Sequence, residues 1–121
     1  MHTSLLAAGC FGVSVLASHQ ESIARHFADR RRSLGAAQFD PVAWLPGEHT
    51  AAPLILGALA WFECRLWRIY DGGDHTIFVG RLLSMTRRTD HDCDALVFHN
   101  GRFRQLNTPQ FMPPPASRPS R

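Results

Sequence analysis

The sequence predicts a small, mainly β domain with one or two short helices, on three observations. First, 121 residues are enough for one modest hydrophobic core and no second domain. Second, residues 60–70 and 75–85 carry strong strand signals, and the Asp-Gly-Gly-Asp segment between them suits a tight reversal. Third, apolar residues follow a helical spacing only in short segments near the start of the chain. We therefore expect a curved, antiparallel sheet.

The first part of the chain predicts helix, strand and helix in that order. Residues 3–8 suit a short helical turn, and residues 11–15 alternate between apolar and small side chains as a strand does. Ser18 and Glu21 have the spacing of a capping box, in which each side chain bonds the backbone N–H of the other residue. This pattern predicts a helix over residues 18–31.

A punctuated loop and further strands are predicted after this helix. Prolines and a glycine break residues 33–53 into an ordered loop with one short strand, and residues 54–56 begin the strongly β part of the chain. Gly80 lies in the middle of a predicted strand, where a bulge or a barrel corner is the usual reason for glycine. Asn100 and Gly101, between two short apolar runs, predict another hairpin.

The domain is predicted to occupy residues 1–108, followed by a tail over residues 109–121. Five of the thirteen residues in this tail are proline, and we expect it to be extended and mobile. The net charge is +3 with neutral histidines, and all thirteen basic residues are arginine. Arginine suits phosphate and carboxylate groups, but this charge is too small to predict a nucleic-acid interface. The absence of lysine excludes Schiff-base chemistry.

The cysteines and the first residues of the chain indicate the cellular compartment of the protein. The three cysteines are an odd number without CxxC spacing, which fits a reducing compartment, so we expect the cytoplasm. Residues 5–17 resemble a secretory signal in hydrophobicity, yet the first arginine is Arg25, so no basic segment precedes them. The run is also far shorter than a membrane-spanning helix. We expect neither a signal nor membrane insertion.

Two other kinds of site are considered and set aside. Residues 90–94 place five potential metal ligands in a row, but contiguous ligands cannot all converge on one ion, so we expect an acidic loop and no metal. The residue types of a catalytic triad are available in Ser84, His75 and Asp74. No nucleophile elbow supports it, and acyl transfer is not expected.

Four blocks of sequence resemble, in order and spacing, the short-chain flavin reductases. They are residues 11–21, 25–28, 53–64 and 73–81, within a resemblance that runs from about residue 3 to residue 106. The resemblance implies an FMN-binding split β-barrel of the Greek-key type. It also implies that NADH or NADPH reduces FMN, FAD or riboflavin in a homodimer, and that the reduced flavin is supplied to a partner monooxygenase.

The most specific block begins with Gly73, Asp74 and His75. The resemblance implies that this motif borders the flavin and nicotinamide site, with His75 touching the ligands as the catalytic residue and Asp74 shaping the turn. The alternative is an ordinary hairpin turn with a solvent-facing histidine. Hydride transfer needs two stacked rings and no nucleophile, and an imidazole beside a carboxylate suits the hydrogen-bonding part of that task.

The resemblance further places Arg25, Phe27 and Ala28 near the flavin. A solvated helix face with a core phenylalanine explains these three residues equally well. Phe103 falls where the family often has an aromatic residue, and we expect it to pack in the core. The three tryptophans could stack on a ring, but at strand spacing we expect core or dimer-interface positions.

The resemblance also implies a deficit. Family members carry several strands and a Thr/Ser/Asn-rich segment, which holds the flavin phosphate and ring, before the region that this chain matches. The chain would then hold only the later part of the barrel, without its N-terminal strands. Two hypotheses stay open: a flavin reductase, or a truncated, non-catalytic remnant or interaction module that does not hold flavin alone.

Overall fold

The structure is a computed structural model and describes residues 2–90 and 94–106. Its elements are α1 (His2–Ala8), β1 (Cys10–Val15), α2 (Glu21–Ala28), β2 (Trp44–Pro46), β3 (Pro53–Ile55), β4 (Ala60–Asp71), β5 (Thr76–Arg87), β6 (Leu96–His99) and β7 (Arg102–Gln105). Short 3-10 helices span Ser18–Gln20 and Gly35–Phe39. The predicted fold class, mainly β with two short helices, is confirmed. The predicted tail from residue 109 lies outside the described residues.

The main sheet is antiparallel, with strand order β1-β4-β5. Strand β4 pairs with β5 from Ala60 to Asp71, but it pairs with β1 only from Ala60 to Arg65. The rest of the β4–β5 hairpin, residues 66–80, projects beyond β1, and we call it the hairpin arm. Asp71 lies six positions after Arg65, so the arm is about 20 Å long at the rise of an extended strand.

Gly80 lies at an irregularity of the β4–β5 pairing. The register shifts between Leu66 and Arg68, so Trp67 is an extra residue on β4 next to the Leu66–Gly80 pair. A Cβ atom at Gly80 would lie 2.6 Å from the Phe11 ring and 2.8 Å from the Cys64 Cβ. The predicted bulge is confirmed, and glycine is needed there because the Phe11 ring reaches across β4 to the β5 backbone.

The start of α2 differs from the predicted capping box. Residues 18–20 form a 3-10 turn, and the α-helix begins at Glu21 and ends at Ala28. The capping contact is made by buried Gln20, whose Oε1 accepts a hydrogen bond from the Ala17 N–H at 2.9 Å. Gln20 Nε2 donates to the Leu56 carbonyl at 2.9 Å. The Ser18 prediction is wrong because a long-range contact of Gln20 fixes this turn.

The helix is also shorter than the predicted span of residues 18–31. Asp29 has extended backbone angles, which ends the helical hydrogen-bond pattern. The Asp29 carboxylate then accepts hydrogen bonds from the backbone N–H and the side chain of Arg31. An Asx turn therefore replaces what the sequence predicts as the last helical turn.

Glu63 is a buried carboxylate that ties the β2–β3 loop to the main sheet. Its Oε1 accepts hydrogen bonds from the backbone N–H groups of His49 and Thr50, at 3.0 and 2.8 Å, and from the Thr50 hydroxyl at 2.8 Å. Its Oε2 accepts one from the Ser84 hydroxyl at 3.2 Å. A Cβ atom at Gly47 would overlap the carboxylate, so the loop backbone packs directly on Glu63.

The hydrogen bonds decide the charge state of Glu63. Desolvation by burial raises the pKa of a carboxyl group, but the bonds from Thr50, His49 and Ser84 outweigh this effect, and the pKa of Glu63 lies below its ordinary value of 4.5. Glu63 is therefore an anion at neutral pH. Sequence reasoning missed it, because its hydrogen-bond partners at residues 49, 50 and 84 are brought to it by tertiary packing.

The β6–β7 hairpin joins the sheet near the end of β1. The Leu96 N–H donates to the Leu16 carbonyl at 3.0 Å, and the Ser18 N–H donates to the Asp94 carbonyl at 2.7 Å. Asn100 and Gly101 both have positive φ, at 55° and 77°. This geometry confirms the predicted hairpin, because such turns match the twist of the strands they connect.

One face of the main sheet exposes apolar side chains, and we call it the open face. Val13, Phe62 and Met85 are cross-strand partners on this face, and Leu82 pairs with Cys64 on the same side. Val13 is 40% exposed, Leu82 54% and Met85 60%. Across residues 2–90 and 94–106, no large side chain is fully buried. The open face is therefore an uncovered part of a hydrophobic core.

Candidate functional site

A cavity of about 630 Å³ lies between β1, α2, β3 and the 3-10 helix Gly35–Phe39. This volume is within the range of small-molecule binding sites. Its apolar walls include Leu16, Ile23, Phe27, Phe39 and Ile55. Polar side chains enter it at a few points, which is the usual composition of a site for a largely apolar ligand.

The inner face of α2 forms one wall of the cavity. Ile23, Ala24 and Phe27 follow the spacing of one helical face and all line it. Glu21 and Arg25 lie on another face, where their side chains form an exposed i,i+4 ion pair at 2.5 Å. Helical periodicity therefore places Phe27 inside the cavity and Arg25 outside it.

Aromatic rings connect α2 to the segment across the cavity. The Phe27 and Phe39 ring centroids are 5.2 Å apart, and Phe39 lies 5.9 Å from Trp44. His26 Nε2 donates to the Gln38 carbonyl at 2.6 Å. These contacts hold the 3-10 helix against α2 and keep the cavity open between them.

The polar groups of the cavity are Ser4, Ser14, Arg32 and Gln38. The Ser14 hydroxyl accepts a hydrogen bond from the Ile55 N–H at 3.0 Å, which joins β1 to β3. Among the described residues that line the cavity, none is acidic. The guanidinium of Arg32 is thus the charged group of this site.

The Gly73-Asp74-His75 motif forms the turn at the tip of the hairpin arm. Gly73 has a φ of 85°, and its N–H donates to Asp71 Oδ1 at 2.9 Å. His75 Nδ1 lies 2.5 Å from Asp74 Oδ1, and both side chains are more than three-quarters exposed. An ionised carboxylate only accepts hydrogen bonds, so Nδ1 is the donor in this contact.

The predicted site residues lie in two separate places. Phe27 lines the cavity, Ala28 is exposed at the end of α2, and the Arg25 guanidinium lies 5.2 Å from the centroid of the Phe103 ring. The cavity lies along β1 from Gly12 onwards. Gly12 pairs with Glu63 on β4, and Glu63 lies eight positions before Asp71, the last residue of β4. Within the described chain, the arm therefore ends about 25 Å along β4 from the cavity.

Sequence reasoning missed Arg32 and Gln38 as cavity residues. Arg30, Arg31 and Arg32 are consecutive, and such a run is typical of a solvated surface. Nothing in the sequence distinguishes Arg32 from its neighbours, because its position depends on how the following 3-10 helix packs.

Metal ligands do not cluster in the part of the chain that the structure describes. Three of the five residues in the predicted acidic loop, residues 91–93, lie outside that part. The acidic-loop hypothesis therefore stays a prediction. No helix within residues 2–90 or 94–106 is long and apolar enough to cross a membrane.

The sheet, the cavity and the turn motif fit the class of split-barrel flavin reductases. Residues 1–107 match the family described as flavin reductase like domain. The chain belongs to this family, which confirms the resemblance found in the sequence.

Individual relatives support this membership. The chain is 50% identical over 106 residues to an NADH-dependent FAD reductase from Streptomyces globisporus, which covers 88% of this chain and 57% of the relative. The structure of this chain superposes on the NADH:FAD oxidoreductase SgcE6 of Streptomyces globisporus C-1027 with a TM-score of 0.81. The identity is 48%, over 88% of this chain and 61% of SgcE6.

A second solved structure is equally similar in fold. BorF, the flavin reductase component of a bacterial two-component tryptophan halogenase, has a TM-score of 0.81 and 57% identity, over 88% of this chain and 65% of BorF. The chain therefore spans less than two thirds of the length of each of these three relatives.

Proposed function

We propose that this chain acts in the NADH-dependent reduction of a flavin, FMN or FAD, and that the reduced flavin is passed to a separate monooxygenase. The observation that carries the proposal is the cavity beside α2 in a chain of the flavin reductase family. NADH is favoured over NADPH because the Streptomyces relative is NADH-dependent. BorF serves a halogenase, which supports a separate flavin-consuming partner.

The cavity residues fit a flavin in both shape and chemistry. The rings of Phe27 and Phe39 offer an apolar wall to a planar ring system, and Arg32 offers a cation to a phosphate group. When bound, a flavin accepts hydride at N5 from the nicotinamide C4 atom. The contribution of the chain is to bind the rings, orient them and exclude water around them.

We propose that His75 hydrogen-bonds to the flavin or nicotinamide through Nε2, and that Gly73 and Asp74 hold it in place. The Asp74 carboxylate fixes the tautomer that leaves Nε2 available. In the homodimer that the family resemblance implies, an arm of about 20 Å is long enough to bring this turn to a site on a second copy. We further propose Arg25 and Ala28 as flavin contacts; both are exposed on α2, the helix that carries the cavity residue Phe27.

We also propose residues 1–108 as the domain and the cytoplasm as its location. The family match over residues 1–107 supports the domain boundary. Cys10 and Cys64 are both free thiols, which supports a reducing compartment.

Equilibrium binding of FMN to the 121-residue chain tests the proposal. FMN fluorescence is followed as protein is added. A basic protein without a flavin site serves as the control. Saturable quenching at one FMN per site supports a working cavity. No binding would favour the alternative, a remnant or interaction module that does not hold flavin alone.

A further inference from the structure

We infer that the root of the hairpin arm is a docking surface for an acidic segment of another protein. The surface consists of Arg65, Trp67, Arg68 and Arg81, all of which are exposed, and we call it the basic patch. None of these four residues is among the described residues that line the cavity. The inference therefore goes beyond the proposed function and does not depend on flavin binding.

Two arginines face each other across the strands at the root of the arm. Arg65 on β4 and Arg81 on β5 are direct cross-strand partners, so their side chains lie on the same side of the sheet. Like charges at such positions repel each other and destabilise the sheet. Departures from a local rule of this kind are typical of functional sites.

The bulge on β4 adds an aromatic ring and a third arginine to the same surface. Trp67 is the extra residue of the bulge, and bulges re-aim side chains. The guanidinium carbon of Arg68 lies 4.5 Å from the centroid of the Trp67 ring, and that of Arg81 lies 5.9 Å from it. These cation–π contacts gather the guanidinium groups around one ring.

The acidic side chains of the β4–β5 hairpin do not neutralise the basic patch, because each is bonded elsewhere. Glu63 accepts bonds from the β2–β3 loop, Asp71 accepts one from the turn backbone, and Asp74 contacts His75. Within residues 2–90 and 94–106, no ion pair includes an arginine of the patch. Its three positive charges therefore favour an anionic partner.

The composition of this surface favours a protein over a small anion. Trp67 is 50% exposed. Tyr70 and Ile77 are cross-strand partners further along the same side of the arm, and they are 51% and 50% exposed. Tryptophan, tyrosine and arginine are the residues that most often carry the binding energy of protein interfaces. A partner segment with acidic and apolar side chains matches both parts of the surface.

A second copy of this chain does not match the basic patch. In a symmetric contact, the arginines of one patch would lie near those of the other, and like charges across an interface oppose binding. Arg65 and Arg81 alternate with Cys64 and Leu82, so the open face lies on the other side of the sheet. Association through the open face therefore leaves the patch accessible.

Polyglutamate is the probe, and its binding is measured by fluorescence anisotropy of the labelled peptide. We expect the triple variant Arg65→Gln, Arg68→Gln and Arg81→Gln to bind it about 10-fold more weakly than the unchanged chain. The matched control replaces three other exposed arginines, Arg30, Arg102 and Arg104, with glutamine and changes the net charge equally. It should bind within about 2-fold of the unchanged chain.

Other results would overturn the inference. Equal losses in the two triple variants would mean that polyglutamate binding follows net charge alone. Weaker NADH or FMN binding in the patch variant, with polyglutamate binding unchanged, would make the patch a nucleotide site. A shift of oligomeric state in the patch variant alone, seen by sedimentation, would mean that a second copy covers it.

A measurement on the unchanged chain covers the case in which the patch variant does not fold. Phenylglyoxal modifies accessible arginines, and mass spectrometry identifies the modified positions. Polyglutamate should protect Arg65, Arg68 and Arg81 from modification and leave Arg30 and Arg102 unprotected. Equal protection of the two sets, or protection of neither, would overturn the inference.

Discussion

At the scale of single residues, Glu63 shows how one side chain can join two parts of the fold. Its four hydrogen bonds connect the backbone of the β2–β3 loop to β4 and β5. All four partners are donors, so the site suits a carboxylate and no neutral amide. This pattern has a consequence for stability as a function of pH.

Replacing Glu63 with glutamine is expected to destabilise the chain by about 1–3 kcal/mol at pH 7, because the amide cannot accept all of these bonds. The folded-state pKa of Glu63 lies below its ordinary value of 4.5, so its contribution is present above that pH and is lost as the pH falls through the folded pKa. Unfolding by urea, measured from pH 7 to pH 3, checks both points.

Glu48 supplies the control for this comparison, since it lies in the same loop and is exposed. Glu48→Gln should follow the stability curve of the unchanged chain. Parallel curves for Glu63→Gln and the unchanged chain across this pH range would contradict the account of Glu63.

The contacts of Glu63 and Arg32 could not be predicted from the sequence, and the physical reason is the same for both. Both depend on partners chosen by tertiary packing: loop residues 49–50 for Glu63, and Gln38 for Arg32. The bounds of β4 and β5 were predictable to within two residues, because the alternation of side chains along a strand depends on the local sequence. Phe27 was predictable as an inward-facing residue from its helical spacing, and as a flavin-site residue through the family resemblance.

At the scale of elements, the hairpin arm carries the predicted catalytic motif away from the cavity. The bulge at Trp67 and the glycine at position 80 set how the arm leaves the main sheet. A turn at the end of such an arm contributes little to the core, so its residues can be changed without unfolding the domain.

His75→Ala is expected to slow NADH-dependent flavin reduction about 10-fold or more, the value of one hydrogen bond to a ligand, and to leave the melting temperature unchanged. Stopped-flow measurement of flavin absorbance gives the rate, and circular dichroism gives the stability. His99→Ala changes another exposed histidine and should alter neither quantity. Unchanged turnover and nicotinamide affinity in His75→Ala would remove this residue from the site.

At the scale of the whole molecule, the open face and the strand edges govern behaviour in solution. Within residues 2–90 and 94–106 the main sheet has three strands, and β1 and β5 are its two outer strands. Outer strands and exposed apolar side chains both favour association with another chain.

We predict that the 121-residue chain is oligomeric or poorly soluble. Met85→Glu places a charge on the open face and should shift sedimentation profiles towards the monomer. Leu45→Glu changes a similarly exposed apolar residue on β2 and should not. A monodisperse monomer that melts cooperatively would contradict this prediction.

The central claim is that this chain works as a flavin reductase, and NADH-dependent bleaching of FMN tests it most directly. The purified chain is mixed with FMN without oxygen, NADH is added, and the visible absorbance of the flavin is followed against the same mixture without protein. The account predicts bleaching that is faster than in the protein-free mixture and that scales with protein concentration. Bleaching at the protein-free rate would contradict it.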